Sequence, residues 1–168
     1  DDWIPIRVPG TVAGALSDHA GRHLNHARDL HDRDVWFRVP LPACGPRSTI
    51  RMEGVATIAE AFLDGRLVGT NDSMFAPWDL TVDLLKPATL HLCCRSLAAA
   101  LSRARLGRPR WRAPMIADQR LRGVRTTLLG HMPGWCPTVH AVGPYRPIRL
   151  FGPSSPPPPS EPLLRASW

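Results

Sequence analysis

The stretch IAEAFLDGRLVG, residues 58–69, decides the fold class. It contains two apolar runs, 58–63 and 66–69, which are separated by Asp64-Gly65. Asp-Gly between two such runs is the strongest short-range signal for a β-hairpin, because both central residues of the turn need a positive φ. The stretch therefore predicts two antiparallel strands joined by a two-residue turn.

Further short strands are predicted on both sides of this hairpin. Apolar and polar residues alternate with the period of a half-buried strand in or near residues 34–39, 48–53, 80–84, 89–94 and 145–151. The 19 prolines and 13 glycines keep the elements short, which favours strands over long helices. We therefore expect an all-β sandwich.

One or two short helices are expected within this sandwich. The first spans Leu97 to Leu106 and is ended by Gly107 and the proline that follows. The second begins at a capping Asp118 and places Gly130 where a C-cap glycine is usual.

The composition indicates one ordinary globular domain. Of the 168 residues, 43% are hydrophobic and 21% are charged. The formal charge is +7, but the arginines are spread along the chain and not interleaved with aromatic residues, so we predict no nucleic-acid partner. No apolar run reaches the length of a membrane span, so we predict no membrane partner.

The domain is predicted to cover residues 1–151. From residue 152 onward the chain is rich in proline and serine and includes the run Pro156 to Pro159. We interpret 152–168 as a linker or disordered tail. The compartment stays open, with a cytoplasmic location slightly favoured over secretion.

Acidic residues give no catalytic pair. The three glutamates are Glu53, Glu60 and Glu161. Retaining glycosidases need two carboxylates about 5 Å apart on either side of the bond, and nothing in the sequence suggests a matched pair. Gly-x-Ser-x-Gly, P-loop and Gly-x-Gly-x-x-Gly motifs are absent from the sequence. We therefore predict neither a catalytic residue nor a cofactor.

Histidines and cysteines are the candidate metal ligands. Four histidines lie close together in the sequence: His19, His23, His26 and His31. On a helix the first three could present their imidazoles to one metal ion, but Gly21 and Asn25 weaken any helix there. We interpret 17–33 as a solvated surface loop and predict no metal site. The cysteines, Cys44, Cys93, Cys94 and Cys136, include no Cys-x-x-Cys pair and are expected to be free thiols.

Large aromatic residues are candidates for stacking on sugar rings. They are Trp36, Trp78, Trp111, Trp135 and Tyr145. Each could instead pack in the hydrophobic core, which is the more common role of a large aromatic side chain.

Five segments appear together in one order: VPGTV at 8–12, DVWFR at 34–38, EGVATIAEAFLDG at 53–65, NDSMFAP at 71–77 and GPYRPI at 143–148. In this order they resemble the N-terminal domain of family 2 glycoside hydrolases of the β-mannosidase type. The resemblance covers residues 3–151 and implies a galactose-binding-like jelly-roll sandwich. In that family an immunoglobulin-like sandwich and a (β/α)₈ barrel follow, and the barrel holds both catalytic glutamates. The resemblance therefore implies that catalysis is not housed here and that those two domains are the missing partners.

The resemblance also implies a set of substrate-binding residues. Gly134-Trp135-Cys136-Pro137 matches a Gly-Trp-Asp-Trp run of β-mannosidases, whose aspartate helps to hold the terminal sugar. Trp135 would form a wall of the sugar pocket, and Arg125 lies near the place of a family arginine. Cys136 stands in place of the aspartate, and a thiol is a poor acceptor for sugar hydroxyls.

We therefore expect a non-catalytic domain that borders the sugar site of a β-mannosidase-like exo-glycosidase, with a carbohydrate such as a β-mannoside as ligand. Two alternatives stay open: a stand-alone carbohydrate-binding module and a truncated, non-functional remnant. An exposed aromatic platform on a concave sheet face would favour the module. Trp135 and Arg125 meeting at an open domain edge would favour the bordering domain.

Overall fold

The computed structural model describes residues 3–20, 30–103, 111–155 and 157. It contains two α-helices, α1 (Val12–Ala20) and α2 (Leu97–Arg103), and a 3₁₀ helix at Gln119–Gly123. The strands are β1 (Val35–Leu41), β2 (Gly45–Met52), β3 (Ala59–Leu63), β4 (Arg66–Asn71), β5 (Trp78–Leu84), β6 (Ala88–Cys94) and β7 (Ile148–Phe151). Among the described helices, none has the length and apolar character needed to cross a membrane.

The strands form two antiparallel sheets that enclose the core. The first sheet has the order β1-β6-β3-β4, and the second has the order β5-β2-β7. Alternate side chains of these strands face inward, and the most deeply buried of them include Ile50, Met52, Leu84, Leu90 and Leu92. The predicted all-β sandwich is confirmed.

The predicted hairpin joins β3 to β4. Its turn residues Asp64 and Gly65 have φ values of 46° and 85°, as a turn of this kind requires. The Asp64 carboxylate also accepts a hydrogen bond of 2.8 Å from the backbone N–H of Thr89. The turn is thereby attached to β6, the neighbouring strand of the same sheet.

The predicted helix after Asp118 is much shorter than expected. Asp118 does cap it, but the helix is a 3₁₀ turn at Gln119–Gly123. After this turn, the carbonyl oxygen of Arg125 accepts a hydrogen bond from the N–H of Met74. Arg125 thereby forms a β-bridge with Ser73, and its backbone is extended where the helix was expected to continue. Gly130 is consequently not a helix cap.

The expected surface loop at 17–33 is also corrected. Its first residues continue helix α1, which ends at Ala20. His31 is only 7% exposed and is not a solvated loop residue. His23 and His26 lie outside the described residues. The predicted tail, 152–168, also lies mostly outside them, and the last strand ends at Phe151.

The strand register brings the long connections to one end of the sandwich. Cys94 pairs with both Val35 and Ala59, and Met52 pairs with both Trp78 and Ile148. The connections 53–58, 72–77 and 95–147 therefore all begin and end at this end, which we call the loop end. The opposite end has the short turns 42–44, 64–65 and 85–87.

Candidate functional site

A second hydrophobic cluster supports the loop end. Four buried side chains form its centre: Leu97, Leu101, Ile116 and Leu121. Leu128 and Met132 pack against them. Because these residues all come from the connection between β6 and β7, that connection carries its own small core and can hold side chains in fixed positions.

Trp135 projects from a loop, residues 130–137, that we call the Trp loop. The carbonyl oxygen of Met132 accepts hydrogen bonds from the backbone N–H groups of Trp135 and Cys136, at 3.0 and 3.2 Å. Gly134, with a φ of 82°, makes the tight turn between them. The indole of Trp135 is 74% exposed. The loop therefore turns back on itself and presents its tryptophan to solvent.

The thiol of Cys136 faces the backbone of the Trp loop. Its Sγ lies 3.1 Å from the N–H of Gly130, which donates to it, and 3.7 Å from the carbonyl oxygen of Met132. The sulfur thus accepts a hydrogen bond from the first residue of the Trp loop and links the two ends of that loop. A Cβ at Gly130 would lie 2.3 Å from the carbonyl oxygen of Val139, so this position also requires glycine.

Arg125 lies at the same end of the domain, but it pairs with the segment 71–77 and not with the Trp loop. Its backbone forms a parallel bridge with Ser73, while its side chain is exposed. Within the described ranges its guanidinium makes no hydrogen bond, ion pair or ring contact. Trp135 and Cys136 share one loop, and Arg125 lies on a different segment of the loop end.

The segment 71–77 adds an exposed aromatic residue that the sequence did not single out. Asn71 donates from its side chain to the carbonyl oxygen of Ser73 at 2.8 Å, and Tyr145 donates from its hydroxyl to the carbonyl of Met74. Phe75, on the segment held in this way, is 56% exposed. The sequence resemblance includes this segment, NDSMFAP at 71–77, but assigns no role to Phe75.

The two glutamates of the described residues are each bound to an arginine. Glu53 accepts from Arg149 at 3.1 Å, and Glu60 accepts from Arg95 at 2.5 Å. Arg95 also donates to Asp34, and these two carboxylates raise the pKa of its guanidinium. Glu60 belongs to one sheet and Glu53 follows a strand of the other. Each carboxylate is thus part of an ion pair at the surface.

Three histidines meet beside the Trp loop. The ring centroids of His31, His131 and His140 are 4.3 to 5.0 Å apart, and their planes are within 21° of parallel. One ring nitrogen of each lies within 4.8 Å of those of the other two. His31 is far in the sequence from His131 and His140, so no local spacing of histidines predicts the cluster. The only sequence signal is that His131 and His140 lie on either side of Trp135.

Aromatic residues also occupy the outer face of the four-stranded sheet. Trp36, on β1, is 45% exposed, and its ring lies 5.5 Å from that of Phe62 on β3. Beside them, the Arg38 guanidinium lies 4.8 Å from the ring centroid of Trp3. A groove of about 840 Å³ runs along this edge and is lined by Trp3, Trp36 and Arg38 among others. Trp78, in contrast, packs against the core.

Solved structures with this fold include parts of much longer glycosidases. A β-D-mannosidase from Dictyoglomus thermophilum superposes with a TM-score of 0.71 at 20% sequence identity, over 88% of this chain and 20% of that protein. A structure described as a putative β-galactosidase from Bacteroides fragilis has a TM-score of 0.50 at 15% identity, over 89% of this chain and 18% of its own. The chain thus spans about a fifth of the length of these proteins. At such identities the likeness shows the fold alone.

Sequence comparison gives the family. No curated protein sequence matches this chain. Residues 1–146, which include every strand except β7, match the model of the glycosyl hydrolase 2 galactose-binding domain-like family. The two-sheet sandwich agrees with that match. The chain therefore belongs to the galactose-binding domain-like family of glycosyl hydrolase 2.

Proposed function

We propose that this domain borders the sugar site of a β-mannosidase-like exo-glycosidase and contributes no catalytic group of its own. The observation that carries the proposal is the exposed indole of Trp135 on a loop whose backbone is internally hydrogen bonded. A tryptophan held in solvent by an ordered loop offers a flat apolar surface, and such a surface is suited to the apolar face of a pyranose ring.

Arg125 and Phe75 support a binding surface at the loop end. The Arg125 side chain is exposed and carries five N–H donors that can reach sugar hydroxyls. Phe75 offers a second exposed ring on the segment that pairs with Arg125 through Ser73. In this proposal Trp135 forms the wall of the site, Arg125 binds hydroxyl groups, and Cys136 shapes the Trp loop.

The environment of the glutamates supports a non-catalytic role. The carboxylates of Glu53 and Glu60 each form an ion pair with an arginine. A carboxylate that is ion-paired with a guanidinium is poorly suited to donate a proton to a leaving group. The two catalytic carboxylates would then come from outside this domain, together with the immunoglobulin-like and barrel domains of such enzymes.

A stand-alone carbohydrate-binding module is the second candidate, and one observation favours it. Trp36 and Phe62 form an aromatic pair on a sheet face, beside the groove that Trp3 and Arg38 line. Sheet-face modules would stack a sugar there. A remnant without any ligand is the third candidate.

Nuclear magnetic resonance with millimolar mannose or manno-oligosaccharides separates these candidates. The indole N–H signals of the six tryptophans report each ring separately once single Trp→Phe variants have assigned them. Our proposal expects the Trp135 signal to shift and the shift to disappear when Arg125→Ala is tested. Trp111, which is 65% exposed, is the matched control and should not respond.

Other outcomes decide against the proposal. A shift of Trp36 alone would assign the sugar to the sheet face and favour the module. No shift at any indole would favour the remnant. Hydrolysis of nitrophenyl β-mannoside that is lost in Glu53→Gln or Glu60→Gln would show that the domain is catalytic.

A further inference from the structure

We propose that His31, His131 and His140 bind one divalent transition-metal ion, of which Zn²⁺ is the best match. Nothing in the sugar-binding role requires this site, so the two proposals stand or fall separately. The sequence pattern predicts no metal site. The histidines whose spacing suggests a shared metal ion are His19, His23 and His26. The structure instead brings His31 together with two histidines from a distant part of the chain.

The three rings lie close together and nearly parallel. Their centroids are 4.3, 4.5 and 5.0 Å apart, and their planes are within 21° of one another. A metal ion lies in the plane of each imidazole that binds it, so binding requires the rings to turn out of this parallel arrangement. Zn–N bonds of about 2.05 Å in a tetrahedral site place neighbouring nitrogens about 3.4 Å apart. The ligand atoms lie within 4.8 Å of one another, so side-chain rotations that turn the rings towards one point can bring them to this spacing.

The backbone around the cluster is held from several directions. The carbonyl oxygen of His31 accepts from Ser96 Oγ at 2.8 Å and from Ala98 N–H at 3.1 Å. The Nε2 of His31 lies 3.3 Å from the carbonyl oxygen of Ala141. In the tautomer that donates from Nε2, the lone pair is on Nδ1, and a hydrogen bond of this kind commonly orients a metal-bound imidazole.

Gly130 sets the spacing between the other two ligands. Its backbone approaches Val139 so closely that an added Cβ would lie 2.3 Å from the Val139 carbonyl oxygen and 3.4 Å from the ring of His140. This contact brings His131, the next residue, next to His140. The two ligands therefore each follow a residue of the contact between Gly130 and Val139 at the base of the Trp loop.

A fourth coordination position would face a small cavity. His131 and His140 line a cavity of about 170 Å³ together with Asp118 and Thr138. Three protein ligands with water in the fourth position is a common zinc arrangement, and imidazole nitrogens favour Zn²⁺ over Ca²⁺ or Mg²⁺. A metal here would join the segment before β1 to the base of the Trp loop.

The test measures Zn²⁺ binding to the full chain by dialysis and isothermal titration, starting from metal-free protein. We expect one Zn²⁺ per chain. His131→Gln, at the half-buried ligand, should weaken binding by at least about tenfold, because a ligand contributes no less than the groups that merely orient it. The control is His19→Gln/His23→Gln/His26→Gln, which removes the trio that the sequence spacing singled out and should leave Zn²⁺ binding unchanged.

A second measurement does not depend on variants. Of the seven histidines, His31, His131 and His140 should be the three whose ring ¹⁵N signals shift on adding Zn²⁺ to the wild-type chain. Co²⁺ should give the visible absorption of a four-coordinate site. Binding that survives His131→Gln and is lost in the control variant would overturn the proposal. Substoichiometric binding, or ring signals of other histidines shifting instead, would also overturn it.

Discussion

The hydroxyl of Tyr145 donates a hydrogen bond to the backbone carbonyl oxygen of Met74. This bond joins the segment 71–77 to the run that precedes β7. In the sequence resemblance these two segments are related only by their order along the chain. The same phenol ring packs against Gly54. Tyr145 therefore joins three connections of the loop end.

Tyr145→Phe should lower the free energy of unfolding by about 1 kcal/mol, because it removes one hydrogen bond and leaves the Met74 carbonyl without this donor. The ring and its packing are kept, so the change isolates the hydroxyl. Urea denaturation followed by tryptophan fluorescence measures the difference. A variant as stable as the wild type would show that the bond does not contribute to the loop end.

Gly54→Ala should be destabilising by about 1 to 3 kcal/mol through steric overlap. An added Cβ would lie 2.8 Å from Cζ of Tyr145, and a packed aromatic ring has little room to move away. The matched control is Gly14→Ala in helix α1, whose Cβ would meet only Thr11 Oγ1 at 3.8 Å. The control should gain up to about 1 kcal/mol from reduced chain entropy. Urea midpoints that shift in the same direction for both would contradict the steric explanation.

Ser96→Ala should lower the free energy of unfolding by about 1 to 2 kcal/mol. The buried hydroxyl of Ser96 accepts the N–H of Ala99 at the start of helix α2 and donates to the carbonyl oxygen of His31. Ser102→Ala removes an exposed hydroxyl from the same helix, where water can replace its bond, and should change stability by less than about 0.5 kcal/mol. Equal losses in the two variants, measured by thermal unfolding, would show that burial of Ser96 is not decisive.

Asp34 should contribute a pH-dependent part of the stability. The N–H of Ser96 and then the guanidinium of Arg95 lower the pKa of the Asp34 carboxyl below its usual value near 3.9. A depressed pKa in the folded state gives stability that is full above the unfolded pKa and is lost as the pH falls through the folded pKa. We expect the urea midpoint of Asp34→Asn to fall less between pH 5 and about pH 2 than that of the wild type.

The size of this effect depends on screening. The Asp34 and Arg95 side chains are each 37% exposed, so the pair is partly solvated and its contribution is small. Raising the salt concentration should reduce the difference between wild type and variant further. A difference in stability that is greatest at neutral pH and absent in acid would support the depressed pKa of Asp34, and the reverse would contradict it.

Cys93 and Cys94 should resist alkylation in the native chain. Burial raises the pKa of both thiols, so little of the reactive thiolate forms near neutral pH. Cys44 and Cys136 are partly exposed and should react first with iodoacetamide. Peptide mass mapping before and after unfolding measures this order. Equal labelling of all four cysteines in the native protein would contradict the burial of β6.

The cysteine pair also shows how far local patterns go. Adjacent residues of a strand point to opposite faces, and from this pattern Cys93 and Cys94 are expected to differ in their surroundings. Both are nevertheless buried. Cys94 faces the core, and Cys93 belongs to the outer face, where its strand partner Trp36 lies. The burial of an outer-face residue depends on what packs over it, so it could not be predicted from the pattern of β6 alone.

The sequence by itself determined the strands, the Asp64-Gly65 hairpin and the order of segments that marks the family, because these depend on neighbouring residues and on chain order. The tertiary structure alone decided what happens at the loop end. There the pairing of Arg125 with Met74 replaces a helix that local spacing favours, since a distant N–H takes the carbonyl oxygen. His31, His131 and His140 meet for the same reason: the strand register brings distant connections together, and no sequence interval records that distance.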